Sequence, residues 1–166
     1  AAGLALLPWQ SVLFLVLCHI SYVHAYTPLK RRTPLCTLTG AIPGALPVLA
    51  GWVAAGQPIN VAALALTGVL FMWQIPHFLA IGWMAREDYA RAGCPMLGVV
   101  DATGGATARV SLAYATAMLP CAAIVGLTSP AGALYMATAL LTGGAYVLYA
   151  WRFAQQRERL PARRLF

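Results

Sequence analysis

Charged residues are scarce in this chain, and acidic residues are the scarcest of them. Only 9% of its 166 residues are charged, whereas about 25% are charged in a typical soluble protein. Four residues are acidic, eleven are basic, and 61% of the chain is hydrophobic. The mean hydropathy is +0.73. This composition excludes an ordinary water-soluble domain and predicts a protein whose surroundings are mostly lipid.

The cysteines lack any spacing that is typical of a zinc site or a disulfide framework. The four of them stand far apart, at positions 18, 36, 94 and 121, with no C-x-x-C pair. Cys18 and Cys121 lie inside apolar runs, where cysteine behaves as a small hydrophobic residue. We therefore predict four free thiols and no disulfide.

The excess of basic residues does not indicate a nucleic-acid partner, because of where these residues stand. The formal net charge is +7, and all eleven lysines and arginines lie in segments 30–32, 86–109 and 152–164. The runs between them are apolar, and a charge at the centre of a spanning helix would cost roughly 2.5–3.5 kcal/mol. Basic segments beside a membrane meet anionic lipid. We predict the lipid bilayer, and no nucleic acid, as a partner.

Five apolar stretches are long enough to cross a membrane as helices, which takes about 20 residues each. They cover about residues 8–26, 36–55, 61–84, 110–127 and 134–151. The first is predicted to be a retained span and not a signal peptide, because no basic residue precedes its apolar core. Gly40-x-x-x-Gly44 in the second span predicts close helix packing. The sequence thus predicts an all-α membrane protein, with residues 1–166 forming a single integral-membrane domain that is truncated at both ends.

The segments between the spans alternate between basic and uncharged. Segments 27–34, 85–109 and 152–166 hold every basic residue, and the turns at 56–60 and 128–132 hold none. Lysine and arginine are enriched in cytoplasmic loops. We therefore expect the three charged segments to face the cytoplasm.

Two of these segments carry the residue types that hold a diphosphate. The first contains Lys30-Arg31-Arg32 between Pro28 and Pro34, which should keep the helix from continuing. The second begins with Arg86-Glu87-Asp88-Tyr89 and continues to Arg91. Carboxylates bind Mg²⁺, and basic side chains bind the phosphate oxygens. The alternative is a membrane anchor with exposed salt bridges worth about 0–1 kcal/mol each, and the residues alone leave both interpretations open.

One ionisable residue of the third span is a second functional candidate. His77 follows Pro76, and eleven positions separate it from Asp88. If the helix persists that far, the two residues share a face and lie roughly 16 Å apart along the axis. The alternative is a neutral histidine that is hydrogen-bonded to a neighbouring helix.

Several stretches together resemble the haem-prenylating branch of the UbiA family of intramembrane prenyltransferases. They occur in order over nearly the whole chain: Tyr26 to Pro34 (YTPLKRRTP), Gly40 to Pro47 with Gly51-Trp52, Trp73 to Phe78 (WQIPHF) and Glu87 to Leu97 (EDYARAGCPML). The third and fourth stretches distinguish this branch from the quinone prenyltransferases of the same family.

The resemblance implies a bundle of nine membrane helices, of which this chain is similar to helices four to eight. The implied reaction transfers a farnesyl group from farnesyl diphosphate to a vinyl group of haem b, with Mg²⁺ at the diphosphate. The implied location is the inner membrane of a bacterial cell. Haem A synthase or oxidase assembly factors would be further partners.

The resemblance also assigns roles to individual residues. It implies that Lys30, Glu87 and Asp88 are catalytic, and that the two acidic residues are Mg²⁺ ligands. It implies substrate contacts for six further residues: Arg31 and Arg32 at the diphosphate, His77 at the porphyrin, and Tyr26, Tyr89 and Arg91 around the site.

Two departures from the family pattern accompany the resemblance. Gly98 stands where the family usually has proline, so we expect a looser loop there. The family's first acidic motif has no counterpart, so we expect the 166-residue chain to be inactive alone. The alternative functions are a UbiA-type prenyltransferase with a quinone or chlorophyll-type acceptor, and a non-catalytic membrane subunit or transporter fragment. The Trp73–Phe78 stretch favours haem.

Overall fold

Long helices dominate the computed structural model, which describes residues 7–128, 132–158 and 162–165. The elements in chain order are α1 (Trp9–Leu29), α2 (Cys36–Ala54), α3 (Val61–Met84), α4 (Arg86–Arg91), α5 (Leu97–Val100), α6 (Gly105–Thr128) and α7 (Gly132–Gln156). Within the described ranges there is no strand. Five of these helices are long and apolar enough to cross a membrane. The prediction of an all-α, multi-pass membrane protein is confirmed.

The observed spans follow the predicted ones closely. α3 has the predicted bounds, and α2 ends one residue earlier than predicted. α6 begins at Gly105 instead of position 110, and α7 ends at Gln156 instead of position 151. Most of the predicted turn at 128–132 lies outside the described residues, as do positions 1–6, 159–161 and 166 of the predicted terminal segments.

α1 contains a wider, π-helical turn from Ser21 to Tyr26 and then continues to Leu29. The span was predicted to end at about residue 26 and continues three residues further, past Pro28, but as predicted it does not run through segment 27–34. The hydroxyl of Thr27 donates to the carbonyl of Tyr22 at 2.9 Å, and this bond stabilises the chain where the wide turn ends. Pro28 then lies at the start of the last helical segment, where a missing backbone N–H is tolerated.

Each spanning helix packs on the next one along the chain. Two hydrogen bonds join α1 to α2: Ser11 Oγ donates to the carbonyl of Ala50 at 2.9 Å, and Cys18 Sγ donates to the carbonyl of Pro43 at 3.1 Å. The second acceptor is available because Pro47, four residues later, has no N–H to donate to it. In lipid, such side-chain bonds satisfy the backbone groups that proline frees.

The largest apolar core lies between α3, α6 and α7. Its buried members are mostly alanines, together with Trp83 and Phe153, whose ring centroids are 6.2 Å apart, and Leu165 of the terminal segment. Small residues allow helix backbones to approach closely where lipid provides no hydrophobic driving force. On the outer faces, apolar side chains such as Leu13, Val16 and Leu141 are exposed. These faces suit contact with acyl chains.

α3 ends at Met84, and the chain turns at Ala85, which has φ −101° and ψ 22°. The next helix begins at once, because the carbonyl of Ala85 accepts from the N–H groups of Asp88 and Tyr89 at 3.0 Å. The condition for His77 and Asp88 to share one helical face is therefore not met. That expectation is wrong because a change of direction separates the two residues.

Asp101 forms the cap at the start of α6. Its carboxylate accepts from the N–H of Thr107 at 2.8 Å, from the hydroxyl of Thr107 at 3.0 Å and from the hydroxyl of Thr103 at 3.2 Å. Partial burial alone would raise the pKa of Asp101, but these hydrogen bonds outweigh it and the pKa is lowered. The cap fixes the residue at which the fourth span begins.

Candidate functional site at one end of the bundle

The segment that follows α1 and the segment that follows α3 meet at the same end of the bundle. Arg31 lines a cavity of about 300 Å³ together with Ala90, Gly93, Cys94, Pro95 and Val99. The basic segment at 30–32 and the segment that begins at α4 therefore form one rim. The structure brings together the two charged segments that the sequence singled out.

Tyr26 and Lys30 lie one turn apart at the end of α1. The Lys30 Nζ is 5.9 Å from the centroid of the Tyr26 ring, and the Tyr22 and Tyr26 ring centroids are 5.2 Å apart. Tyr26 also lines a cavity together with Met96 of the segment after α3. The phenol of Tyr26 thus lies between the end of α1 and the segment after α3.

A second cavity, of about 210 Å³, lies beside this rim and is mainly apolar. Its lining residues come from α1, α2, α3 and the segment before α5, and include Tyr22, Tyr26, Thr37, Gly40, Phe78 and Met96. An apolar cavity next to basic side chains can hold a molecule with an anionic head and a hydrocarbon chain. A larger cavity of about 500 Å³ near Pro8 and Pro58 has no ionisable side chain in its lining, so it does not suit such a molecule.

The two acidic residues of the rim are on α4 and are exposed. Asp88 forms an ion pair with Arg91, one turn further along, and these side chains are 69% and 79% exposed. Within the described ranges, no group of three His, Cys, Asp or Glu side chains could hold a metal ion. Mg²⁺ is often bound by one or two carboxylates together with substrate phosphates. Glu87 and Asp88 fit that mode of binding only if a diphosphate supplies the other ligands.

Arg32 is exposed on the same turn as Arg31 and makes no ion pair with any residue that the structure describes. Its guanidinium group is accessible to a ligand in solution. Arg31 is also exposed, but it lies against the 90–99 segment. The two arginines of the predicted site therefore have different surroundings.

His77 belongs to an aromatic group on α3. Its ring stacks on Trp73 with centroids 5.0 Å apart and an interplanar angle of 17°. It meets the edge of Phe78 at 5.6 Å. The Tyr146 hydroxyl of α7 donates to the carbonyl of Trp73 at 3.1 Å. Because Phe78 also lines the smaller cavity, this aromatic group extends from the middle of α3 to the cavity beside the rim.

Gln74 is a structural residue of this region to which the sequence analysis gave no role. Its side chain is 6% exposed, and its amide nitrogen donates to the carbonyls of Ala41 at 3.3 Å and Leu70 at 3.0 Å. The sequence did contain a signal for this role, because an amide side chain inside an apolar span needs hydrogen-bond partners. The bonds of Gln74 join α2 to α3 below the cavity.

Gly98 does not loosen the loop before α6, contrary to the expectation. A Cβ at Gly98 would lie 2.7 Å from the backbone nitrogen of Trp83 and 2.8 Å from the carbonyl carbon of Gly82. Glycine is therefore the residue that lets α5 lie directly on the backbone of α3. The loop is held closely against the bundle at this point.

The family model of the UbiA prenyltransferase family matches residues 1–166, and the chain belongs to that family. The resemblance noted in the sequence is confirmed. A protoheme IX farnesyltransferase of Solibacter usitatus is 43% identical over 143 residues, which are 86% of this chain and 49% of the relative. The protein of the same name from Koribacter versatilis is 42% identical over 135 residues, which are 81% of this chain and 44% of the relative.

A third relative of that name, from Myxococcus xanthus, is 38% identical over 148 residues, which are 89% of this chain and 50% of the relative. The chain thus spans about half the length of the curated relatives that it matches. No solved structure matches the chain.

Proposed function

We propose that the protein transfers a farnesyl group from farnesyl diphosphate to a vinyl group of haem b and so makes haem O. The similarity to proteins named protoheme IX farnesyltransferase supports the choice of both substrates. The structural observation that carries the proposal is the cavity shared by Arg31 and the 90–99 segment. Through Arg31 it brings the basic segment at 30–32 next to Ala90 of α4, the helix that carries Glu87 and Asp88.

Lys30, Arg31 and Arg32 bind the diphosphate in this proposal. During the reaction the bond between C1 of the farnesyl chain and its oxygen breaks, and the electron pair leaves with the diphosphate. A vinyl carbon of haem b forms the new bond to C1, the other vinyl carbon takes the oxygen of water as a hydroxyl group, and the proton that this water loses goes to the solvent. Basic side chains that are already in place stabilise the charge that develops on the leaving group.

Glu87 and Asp88 are the proposed Mg²⁺ ligands, together with oxygens of the diphosphate. The metal ion would neutralise part of the leaving group's charge. To bind the metal ion, Asp88 must first give up its exposed ion pair with Arg91. Such a pair is worth only about 0–1 kcal/mol. The ion pair is therefore a weak competitor for the carboxylate.

The apolar cavity beside the rim is the proposed place for the part of the farnesyl chain next to the diphosphate. Tyr26 lies between this cavity and Lys30, so it separates the anionic head from the chain. The stacked rings of His77 and Trp73 offer a flat aromatic surface to the porphyrin, with the Phe78 ring edge-on beside them. Tyr89 and Arg91 of α4 are the remaining proposed substrate contacts.

The proposed location is the inner membrane of a bacterial cell, with the three basic segments in the cytoplasm. The clustering of these segments at one end of the bundle supports it. Haem A synthase or oxidase assembly factors are the proposed recipients of the product.

The test of the proposed function is the variant Lys30→Met made in the full-length parent protein, assayed in membranes from cells that express it. With haem b, farnesyl diphosphate and Mg²⁺, we expect haem O production to fall by about 100-fold or more. Arg163→Gln is the matched control, since it removes one exposed cation outside the proposed site. Unchanged haem O production by Lys30→Met would contradict the role of Lys30. Wild-type membranes that prenylate a quinone and not haem b would contradict the acceptor.

A further inference from the structure

Two arginines from different helices converge on Gly105, the first residue of α6. A Cβ at Gly105 would lie 3.6 Å from Arg109 Nη1 and 3.8 Å from Arg157 Cζ. Arg109 stands one turn further along α6. Arg157 follows the end of α7 in a left-handed conformation with φ 53°, and its N–H donates to the carbonyl of Phe153 at 2.8 Å. The two guanidinium groups therefore face the same point.

Neither guanidinium group has an anionic partner in the described part of the chain. Both side chains are exposed, and no ion pair or hydrogen bond joins either guanidinium to a described residue. Two like charges that face the same point repel each other, even though water weakens the repulsion. An anion between the two groups would replace this repulsion with two attractions.

The charges nearby do not cancel those of the two arginines. The Asp101 carboxylate at the same helix start is already bonded to Thr103 and Thr107. A further cation is close, because Gly104 packs against the Trp83 ring and the Arg86 guanidinium carbon lies 4.5 Å from the centroid of that ring. Glu158 is exposed and forms no ion pair with a described residue. Three cations face the carboxylates of Asp101 and Glu158, so the start of α6 keeps a net positive charge.

The membrane supplies the anion that best suits this position. The two arginines lie at the ends of two spanning helices, where lipid headgroups are found. On α7, Leu141 and Leu148 are exposed apolar residues, and Trp151 is 48% exposed near the same end. Exposed tryptophan is typical of the headgroup level, and the apolar face of α7 can contact acyl chains. Guanidinium groups bind phosphate oxygens in pairs of parallel hydrogen bonds.

We propose that Arg109 and Arg157 bind the phosphate group of an anionic phospholipid at the rim of the bundle. This site is formed by α6 and the end of α7, so it is separate from the proposed diphosphate residues of α1 and α4. Free inorganic phosphate shares the same chemistry. The exposed apolar face of α7, which suits acyl chains, is what favours the lipid.

The experiment measures retention of dioleoylphosphatidylglycerol by native mass spectrometry on the protein purified in a non-ionic detergent. An equal amount of dioleoylphosphatidylcholine is the competing lipid. We expect the wild type to retain phosphatidylglycerol preferentially, and the double variant Arg109→Gln/Arg157→Gln to retain it about tenfold less. The matched control Arg152→Gln/Arg163→Gln removes the same charge elsewhere at this end, and we expect its retention to stay within about twofold of the wild type.

A conservative variant and an added anion complete the test. Arg157→Lys keeps the charge but loses the paired hydrogen bonds, so we expect retention between that of the wild type and the double variant. Displacement of the lipid by excess inorganic phosphate would show that the arginines recognise the phosphate group from either source. Resistance to phosphate would show that the acyl chains contribute. The proposal would be overturned if the control and the double variant lost phosphatidylglycerol to the same extent. It would also be overturned if neither Arg109→Gln/Arg157→Gln nor Arg157→Lys retained less of this lipid than the wild type.

Discussion

The side-chain amide of Gln74 fills the space beside Gly44 that a larger residue would need. A Cβ at Gly44 would lie 2.8 Å from Gln74 Cδ and closer still to Oε1. In this position the amide nitrogen reaches the carbonyl of Ala41 across the interface between α2 and α3. Glycine at position 44 is thus a condition for the hydrogen bond that joins these two spans.

Gly44→Ala is expected to destabilise the protein, because the new methyl group displaces the Gln74 amide. An unsatisfied buried amide costs about 1–3 kcal/mol, which exceeds the gain of about 1 kcal/mol from replacing helical glycine. The measurement is thermal unfolding in detergent. The control is Gly51→Ala on the same helix, where a Cβ would have nothing within 4 Å. Equal stability of the two variants would contradict the role of Gly44.

Gly40→Ala is expected to impair the reaction with farnesyl diphosphate. The added Cβ would lie 2.9 Å from Tyr26 Cδ2, so the ring must move, and with it the wall between Lys30 and the apolar cavity. Misplacement of binding groups by about 1 Å can cost up to about 100-fold. We expect kcat/KM for farnesyl diphosphate to fall by roughly 10–100-fold. Gly144→Ala, which meets no neighbour, should leave it unchanged, and an unaffected Gly40→Ala enzyme would refute the prediction.

Asp101→Ala is expected to lower stability in a manner that depends on pH. The pKa of Asp101 in the folded protein is below its ordinary value of 3.8. The carboxylate therefore stabilises the fold above that pH, and this contribution is lost as the pH falls through the folded pKa. Thermal unfolding should show a difference from the wild type of about 1 kcal/mol near neutral pH. That difference should shrink below about pH 3.8.

Glu158→Ala is the matched control for the pH experiment. Glu158 is exposed and forms no ion pair with a described residue, so its removal should change stability by less than about 0.5 kcal/mol. A loss in Asp101→Ala that stays constant down to strongly acidic pH would show that the charged cap is not its cause.

Arg91→Gln is expected to lower the Mg²⁺ concentration that gives half-maximal activity. The substitution releases Asp88 from its exposed ion pair, and a pair worth about 0–1 kcal/mol corresponds to a shift of up to about fivefold. Titration of haem O production with Mg²⁺ measures the shift, with Arg152→Gln as the control for lost positive charge. A higher Mg²⁺ requirement in Arg91→Gln would show that the arginine assists metal binding instead of competing with it.

The sequence predicted the spans well, because apolar length and the lack of charge determine them. Its errors fall where local hydrogen bonding decides the outcome. The helix passes Pro28 because the preceding turn is wide, and no hydrophobic pattern predicts that. The third span ends at Met84, although the helix-forming residues that follow it would allow it to continue. Gly105 begins α6 before the apolar run does, because the side chain of Asp101 caps it.

Residue types and topology could predict the candidate site in outline but not in detail. Alternation of the spans was enough to place Arg31 and the segment after α3 at one end, and the shared cavity agrees with this. The parts that escaped prediction depend on three-dimensional packing. Gly40 and Gly44 serve the predicted helix packing, but the sequence did not identify Tyr26 and Gln74 as the side chains that lie against them. The convergence of Arg109 and Arg157 involves residues 48 positions apart in the sequence.

The wide turn in α1 has a consequence for how this helix tolerates changes of length. Its first half is fastened to α2 by Ser11 and Cys18, and its last turn carries Tyr26 and Lys30 to the rim. Removing one residue from the wide turn at Ser21–Tyr26 would restore a regular helix with little rotation of Lys30, because such a turn is an α-helical turn that has taken in one extra residue. Removing one residue from the regular segment Thr27–Leu29 would instead rotate Lys30 by about 100°. Lys30 would then point away from its present neighbours while the fastened half stayed in place. The angular phase of the helix, and not only its composition, determines where its cationic end points.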